Sequence, residues 1–218
     1  MERNQALKDL IEEAVKCAKR NGKPDDPEQE RAIKKAYRVA TQLINGAHYS
    51  EAVTILEPLC NMTMGPLKAR AAYAIVKLFI TKSQFRLVRD IVTHLAQLGG
   101  DLKVNVAEKC TYWLMVYHHL DDAKKIQAVL ENHEYDYGQE AAQRITEFIA
   151  LTTSQASDVT EALSKVKSDP ALAEKVALKY GVRNGKPEEA EQIQALHMTV
   201  RLMTALMDND QFDHVYHV

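Results

Sequence analysis

The sequence contains few residues that interrupt helices, with eight glycines and six prolines among 218 residues. It also lacks segments in which apolar and polar residues alternate between turns, the pattern typical of strands. Residues that favour helices (Ala, Leu, Glu, Lys and Gln) are abundant instead. These features predict an all-α protein of about nine or ten helices, given ordinary helix lengths. Short connections should make consecutive helices antiparallel neighbours.

Cysteine is scarce, and its placement argues against a disulfide framework. Cys17, Cys60 and Cys110 lie far apart and form no Cys-x-x-Cys pair. An odd number of isolated thiols favours a reducing compartment, where each acts as a small buried apolar residue. The opening segment MERNQALKDL has no apolar signal core, and no apolar run approaches the roughly 18 residues that span a bilayer. We therefore expect a cytoplasmic protein that does not enter a membrane.

Neither sign of charge dominates the chain, whose formal net charge is −2. This balance argues against a general nucleic-acid-binding protein, which usually has a strong basic excess. The charge is uneven, however: residues 1–100 contain 16 basic and 11 acidic residues, and residues 101–218 contain 12 and 19. Ordinary variation of solvated surface charge explains this asymmetry. A nucleic-acid-associated regulator that uses the basic first half is the alternative.

The pentapeptide Arg-Asn-Gly-Lys-Pro occurs twice, at residues 20–24 and 183–187. Asn or Gly can end a helix in the left-handed conformation, and proline is favoured at the start of the next helix. After the first copy, Asp26 precedes Pro27 and can cap the following helix. We interpret both copies as boundaries between helices and not as a doubled binding element.

A repeat of about 35 residues runs through the middle of the chain. Tyr49, Phe85 and Leu120 open the second helix of three successive predicted hairpins, at spacings of 36 and 35 residues. The flanking small or apolar positions recur as well. They are Ala36, Val39, Ala40, Leu43, Ala52, Leu56 and Leu59 in the first unit; Ala72, Ile75, Val76, Phe79, Val88, Val92 and Leu95 in the second; and Ala107, Cys110, Thr111, Leu114, Ala123 and Leu130 in the third.

This pattern resembles the tetratricopeptide repeat family, whose unit is a pair of helices of 34 residues. The resemblance implies stacked antiparallel helical hairpins, an α-solenoid, because one amphipathic hairpin cannot bury its apolar stripe alone. It implies a single helical-repeat domain over residues 1–218. Within it, 1–30 would form an N-terminal helix and linker, 32–168 the repeat core, and 170–218 C-terminal helices that can cap the stack.

The resemblance also implies a concave groove lined by the first helix of each hairpin. Its candidate partner-binding residues are Lys34, Tyr37 and Thr41, then Arg70, Tyr73 and Lys77, then Glu108 and Tyr112; the last turns would add Ile44, Asn45, Ile80, Thr81, Met115 and Val116. Basic side chains interleaved with tyrosines suit a protein partner or an extended acidic peptide, because Arg and Lys meet carboxylates and Tyr supplies contact area. An exposed amphipathic face without a ligand is the alternative.

No constellation in the sequence indicates catalysis, a metal or a cofactor. HHLDD at 118–122 is predicted to be a solvated turn, since adjacent residues on a helix point apart. NHEYDYG at 132–138 fits either a contact loop or an exposed loop between repeats. His214 and His217 are predicted to lie in a frayed tail. No Gly-rich phosphate loop follows a strand. We therefore expect a non-enzymatic binding scaffold, adaptor or chaperone-like module.

The last long helical segment carries an apolar stripe that is predicted to be core or a terminal cap. Its members are Ile193, Leu196, Val200, Met203, Leu206 and Met207. If this stripe is exposed, it should drive self-association, because unburied apolar patches of this size are costly. A homo-oligomeric assembly protein is therefore a further alternative.

Overall fold

The computed structural model describes residues 2–23, 26–61, 64–182 and 190–217, and these residues form helices and no strand. The helices are α1 Glu2–Lys19, α2 Pro27–Asn45, α3 Tyr49–Leu59, α4 Pro66–Thr81, α5 Phe85–Leu98, α6 Asp101–Val116, α7 Leu120–Glu131, α8 Asp136–Lys165, α9 Pro170–Gly181, α10 Ala190–Asp208 and α11 Phe212–Val215. The prediction of an all-α protein is confirmed. No helix in these ranges combines the length and the apolar character needed to span a bilayer.

The chain separates into two compact units. The first comprises Met1–Leu114 and Asp121–Gln143, and the second comprises Met115–Leu120 and Arg144–Val218. The sequence analysis placed residues 1–218 in one domain and did not anticipate this division. Each unit has its own set of buried apolar side chains.

The turns that precede Tyr49, Phe85, Leu120 and Phe212 share one backbone geometry. Each contains a non-glycine residue with a positive φ, two positions before the first residue of the next helix. These residues are Ala47 (φ 61°), Ser83 (φ 57°), His118 (φ 67°) and Asp210 (φ 56°). In three of the turns the next amide donates to the carbonyl five residues earlier, the bond of a Schellman helix end. Those bonds are His48 to Leu43 at 2.8 Å, and Gln84 to Phe79 and Gln211 to Leu206 at 2.9 Å. Tyr49, Phe85, Leu120 and Phe212 therefore follow equivalent turns.

The first copy of the repeated pentapeptide separates two helices, as predicted. α1 ends at Lys19, and the carboxylate of Asp26 accepts a hydrogen bond from the amide of Glu28 at 2.9 Å. Pro27 is the first residue of α2. The second copy, at 183–187, lies outside the described residues.

The first copy also makes a long-range contact that the sequence analysis did not anticipate. Asn21 accepts a hydrogen bond from the ammonium group of Lys68 at 2.8 Å. Lys68 is fully buried near the start of α4, and burial lowers the pKa of its side chain. The turn after α1 is therefore tied to α4 as well as ending a helix.

The core of the first unit is built from the apolar positions that the repeat predicted. α1 packs against α2 and α3, α2 against α3 and α4, and α4 against α5. Alanines at the contact faces allow close approach, and each fully buried Leu, Ile or Phe contributes about 1.5–3 kcal/mol relative to exposure. Fully buried members of the aligned set are Ala36, Ala40, Ala52, Leu56, Leu59, Ala72, Ile75, Val76, Phe79, Val88, Val92, Leu95, Ala107, Cys110, Leu114, Ala123 and Leu130.

The cysteines are free thiols, and two of them behave as predicted. Cys60 and Cys110 are buried, whereas Cys17 is half-buried. Burial raises the pKa of Cys60 to about 12 and raises that of Cys110 further. Both buried thiols are therefore neutral near pH 7 and act as small apolar side chains.

The second unit buries a different face of α10 from the one predicted. Leu206 is buried and Met203 half-buried, but Leu196, Val200 and Met207 are exposed. The side chain of Ile193 lies outside the described residues. The buried line of α10, which packs against α9, consists of Ala195, Met198, Thr199, Leu202 and Leu206.

Small residues and residues with hydrogen-bond partners explain why this face of α10 is buried. The hydroxyl of Thr199 donates to the carbonyls of Ala195 at 3.0 Å and Ala177 of α9 at 3.3 Å, and the hydroxyl of Thr152 donates to Gln194 at 3.2 Å. Polar groups that find partners can be buried without a large penalty. The prediction that this stripe is core is therefore wrong for Leu196, Val200 and Met207, and its alternative, a terminal cap, stays a prediction.

The prediction of a frayed tail at His214 and His217 is also wrong. α11 packs against α9 and α10, and both imidazoles contact the carboxylate of Glu174 in α9. The distances are 2.5 Å from His214 Nδ1 and 3.0 Å from His217 Nδ1. The hydrogen bond with His214, supported by His217, holds the pKa of Glu174 below its usual value.

Candidate functional site

Two helices bring several of the predicted partner-binding residues together. Tyr73 and Lys77 lie on α4, and both contact Trp113 of α6. The indole Nε1 of Trp113 donates a hydrogen bond to the hydroxyl oxygen of Tyr73 at 2.7 Å. The ammonium nitrogen of Lys77 lies 4.3 Å from the centroid of the Trp113 ring, a cation–π contact. The helices α4 and α6 therefore share one basic and aromatic surface.

The sequence analysis missed Trp113. Its position in the repeat is not one that the family uses to line a groove, so the alignment assigned it no role. The available signal was its rarity, because Trp113 is the only tryptophan in the chain. It is also next in sequence to Tyr112, one of the predicted partner-binding residues. Trp113 is buried, and its contacts fix the position of Tyr73 and Lys77.

Tyr112 and Glu108 form a pair on α6. The hydroxyl of Tyr112 donates to Oε1 of Glu108 at 2.6 Å across one helical turn. Glu108 is buried, and Tyr112 is half-buried. The carboxylate of Glu108 is thus engaged with its own helix and orients the tyrosine ring.

The remaining selected residues differ in exposure. Lys34 is exposed and forms an ion pair with Glu30 at 2.6 Å. Tyr37 is half-buried, and the buried hydroxyl of Thr41 has no hydrogen-bond partner among the described residues. Arg70 is exposed and forms no hydrogen bond or ion pair within the described part of the chain.

The residues predicted to extend the groove through the last turn of each helix belong to the core. Ile44, Ile80, Met115 and Val116 are all buried. Each lies in the last turn of its helix. The groove prediction is wrong for these four positions.

The segment 118–122, predicted to be a solvated turn, contains a residue in the left-handed conformation and an acidic residue that pairs with another helix. His118 adopts the left-handed conformation, and burial together with the nearby Arg201 lowers its pKa. Asp122 lies 3.5 Å from the guanidinium group of Arg89 on α5. Among the described residues, no group of three or more His, Cys, Asp or Glu side chains is placed to hold a metal ion.

Two concave regions lie elsewhere in the first unit. An apolar groove of about 410 Å³ lies between α3 and α5, with Cys60 among its lining residues. A cleft of about 630 Å³ is lined by the turn between α5 and α6 and by the segment before α8. The second region includes the Asn-His-Glu-Tyr-Asp-Tyr sequence that the sequence analysis left open as a contact loop.

The surface formed by α4 and α6 is chemically suited to binding. It combines flat aromatic rings with two cationic side chains, the exposed Arg70 and the half-buried Lys77. The hydrogen bond between Trp113 and Tyr73 joins side chains of two helices, so this surface forms only when the protein is folded. No protein-family model, curated protein or solved structure matches this chain.

Proposed function

We propose that this chain is a non-enzymatic protein-binding scaffold of the adaptor or chaperone-like kind. Its binding surface is the aromatic–cation face, which we define as Arg70, Tyr73, Lys77, Tyr112 and Trp113. The partner is a protein segment that is extended and acidic. The observation that carries this proposal is the hydrogen bond between Trp113 and Tyr73, because it joins two predicted hairpins into one surface.

The proposal includes a stack of antiparallel hairpins like that of tetratricopeptide repeats. Equivalent turns precede Tyr49, Phe85 and Leu120, which supports a repeated unit. α2 packs against α4, so the first helices of neighbouring hairpins are adjacent. The ring of Phe79 in α4 lies 6.1 Å from the ring of Tyr49 in α3, which links the first hairpin to the second. These are the contacts between neighbours that a solenoid requires.

The chemistry of the aromatic–cation face favours carboxylates. The guanidinium group of Arg70 is exposed and can form two parallel hydrogen bonds with a carboxylate. Lys77 is positioned by the Trp113 ring, which reduces the conformational entropy that binding would cost. Tyr73 and Tyr112 are half-buried and add rigid contact area. An acidic segment therefore gains both charge pairing and apolar contact here.

Reversing the charge of this face should weaken partner binding strongly. We expect Arg70→Glu combined with Lys77→Glu to lower affinity at least about tenfold, since two charge-assisted contacts would become repulsive. Affinity capture from the source cells supplies the partner, and a synthetic peptide of its acidic segment serves as the probe. Because Trp113 is the only tryptophan, its fluorescence reports directly on this face during titration.

The control is Lys82→Glu combined with Arg86→Glu, which changes the net charge equally at two exposed positions outside the face. Far-ultraviolet circular dichroism should be unchanged in both double variants. An equal loss of affinity in the two double variants would contradict the proposal that the aromatic–cation face binds the partner. Capture of nucleic acid that is lost between low and moderate salt would support the nucleic-acid alternative instead.

A second candidate function, self-association, is favoured by the exposed apolar residues at the end of the second unit. Leu196, Val200 and Met207 of α10 are exposed, as are Phe212 and Tyr216, which is 94% exposed. Contiguous exposed apolar surface commonly marks an interface. A homo-oligomer would bury these side chains.

Sedimentation velocity at several concentrations tests this second candidate. We expect the average mass of the wild type to rise with concentration, and Phe212→Ser combined with Tyr216→Ser to suppress that rise by removing apolar contact area. Tyr135→Ser is the control, because Tyr135 is an exposed tyrosine of the first unit. A wild type whose mass does not depend on concentration would rule out self-association through this surface.

A further inference from the structure

The cleft beside the turn between α5 and α6 contains a buried, uncompensated cation. Lys103 lies on the first turn of α6, is only 6% exposed and lines the cleft. It forms no hydrogen bond or ion pair with any residue that the structure describes. The stem of the side chain is covered, and the ammonium group faces the cleft without an acidic partner among the described residues.

The position of Lys103 on its helix makes the site still more positive. Its ammonium nitrogen lies 3.8 Å from the point where a β-carbon on Gly100 would be, so the side chain folds back over the N-terminus of α6. The amide of Lys103 donates to the carbonyl of Gly100 at 3.0 Å, which leaves the amides of Asp101 and Leu102 at this helix end, where the helix dipole is positive. The nearby thiol of Cys60, whose pKa burial raises to about 12, is neutral and supplies no negative charge.

Two further donors face the same cleft. Nδ1 of His133 accepts a hydrogen bond from the amide of Tyr135 at 3.2 Å, so the neutral ring carries its proton on Nε2. That Nε2 lies 3.0 Å from the point where a β-carbon on Gly99 would be. The hydroxyl oxygen of Tyr137 accepts from the amide of Gly100 at 3.0 Å, which leaves the hydroxyl proton available for donation.

The glycines of the turn make this approach possible. Gly99 has φ 66° and ψ −179°, and Gly100 has φ 91°. Such conformations are largely restricted to glycine. Without β-carbons, the backbone, Lys103 and His133 can converge on one small volume.

The mouth of the cleft offers a flat surface. The rings of Tyr135 and Tyr137 are stacked, with centroids 5.5 Å apart and planes 12° apart. Tyr135 is 54% exposed, so one face can receive a planar group. Two acidic side chains lie at this cleft: Glu134 is among its lining residues, and Asp101 opens α6. Both are exposed, and neither pairs with Lys103.

We propose that this cleft binds the phosphate group of a small phosphomonoester. The phosphate is held by the Lys103 ammonium group, the His133 Nε2–H, the Tyr137 hydroxyl and the first amides of α6. A helix N-terminus combined with a lysine is a recurrent way of binding phosphate. A planar group attached to the phosphate, such as a nucleobase, stacks on Tyr135. The site lies at the turn between two helices. It therefore lacks the Gly-rich loop after a strand that often indicates phosphate binding in a sequence.

Thermal unfolding in matched salts tests this proposal. The melting temperature is measured in inorganic phosphate, in adenosine monophosphate and in chloride at one ionic strength. At a ligand concentration of ten times Kd, we expect a rise of about 3–6 °C over chloride for a protein of this size. A larger response to adenosine monophosphate than to phosphate at equal concentration identifies a nucleoside phosphate. Equal responses identify the phosphate group alone.

The deciding variant is Lys103→Met, with Lys109→Met on the exposed side of the same helix as its control. We expect Lys103→Met to abolish the shift with phosphate and adenosine monophosphate. Its melting temperature in chloride should equal or exceed that of the wild type, because a buried cation at a positive helix end has been removed. Lys109→Met should keep the full shift. A shift that survives in Lys103→Met, or a wild type without any shift, would overturn the proposal.

An independent measurement on the wild type does not depend on how any variant folds. Phosphate added to ¹⁵N-labelled protein should move the amide resonances of Gly99, Gly100, Asp101 and Leu102. Changes confined to other residues would refute this location for the site.

Discussion

Replacing Phe79 with alanine is expected to lower the free energy of unfolding by about 3–5 kcal/mol. Phe79 is fully buried in α4, and its ring lies 6.1 Å from that of Tyr49 in α3 at an angle of 60°. The substitution removes the transfer free energy of the ring and leaves a cavity between the two helices. Since small domains are stable by about 5–15 kcal/mol, this is a large fraction of the total.

Urea unfolding followed by circular dichroism at 222 nm, a standard helix signal, measures this loss. Phe212→Ala is the matched control at a protein concentration low enough to keep the chain monomeric, because Phe212 is 58% exposed and its truncation should then change stability by less than about 0.5 kcal/mol. A loss below about 1 kcal/mol for Phe79→Ala would mean that α3 and α4 do not depend on this contact. The proposed stacking of hairpins would then lose one of its supports.

Replacing Gly99 with alanine is expected to cost about 2–4 kcal/mol, the second large effect. With φ 66° and ψ −179°, Gly99 lies in a region of backbone conformation that is essentially restricted to glycine. A β-carbon there would also lie 3.0 Å from Nε2 of His133, which would have to move. Backbone strain and the steric contact therefore act in the same direction.

The same unfolding measurement serves for this variant, with Gly181→Ala as the control. A β-carbon at Gly181 would meet only Thr199, at an ordinary distance of 3.6 Å. Because Gly181 ends α9 without a positive φ, alanine there should be neutral or stabilising by up to about 1 kcal/mol. Similar effects at the two glycines would show that the turn between α5 and α6 does not require its observed geometry.

Much of the helical framework was predictable because helix ends are local features. Asp26 begins α2 with a capping hydrogen bond, and Pro27 supplies a fixed φ torsion. Both features can be predicted from two adjacent residues in the sequence. The corner positions Tyr49, Phe85 and Leu120 could also be predicted, because bulky residues recur there at spacings of 36 and 35 residues. All three follow the same kind of turn in the structure.

The candidate site was predictable only in part. The resemblance to tetratricopeptide repeats selected Tyr73, Lys77 and Tyr112 as residues on the groove-lining side of their helices. It did not predict that Trp113, 40 positions after Tyr73, would donate a hydrogen bond to it. Nor did it identify Lys103 and His133, which are 30 positions apart and meet only because a Gly-Gly turn brings their segments together.

By itself, the sequence of this protein determined that it is helical and where helices such as α2 begin, because caps, turns and propensities act over a few residues. For α10, tertiary structure alone decided which face became buried. On α10 the apolar stripe predicted to be core includes exposed Val200, and the buried face includes Thr199, whose hydroxyl bonds to Ala177 of α9. Neighbouring faces of one helix can have similar apolar content, and the packing partner selects between them. The side chains that meet across helices, and therefore the candidate binding surfaces, depend on that selection.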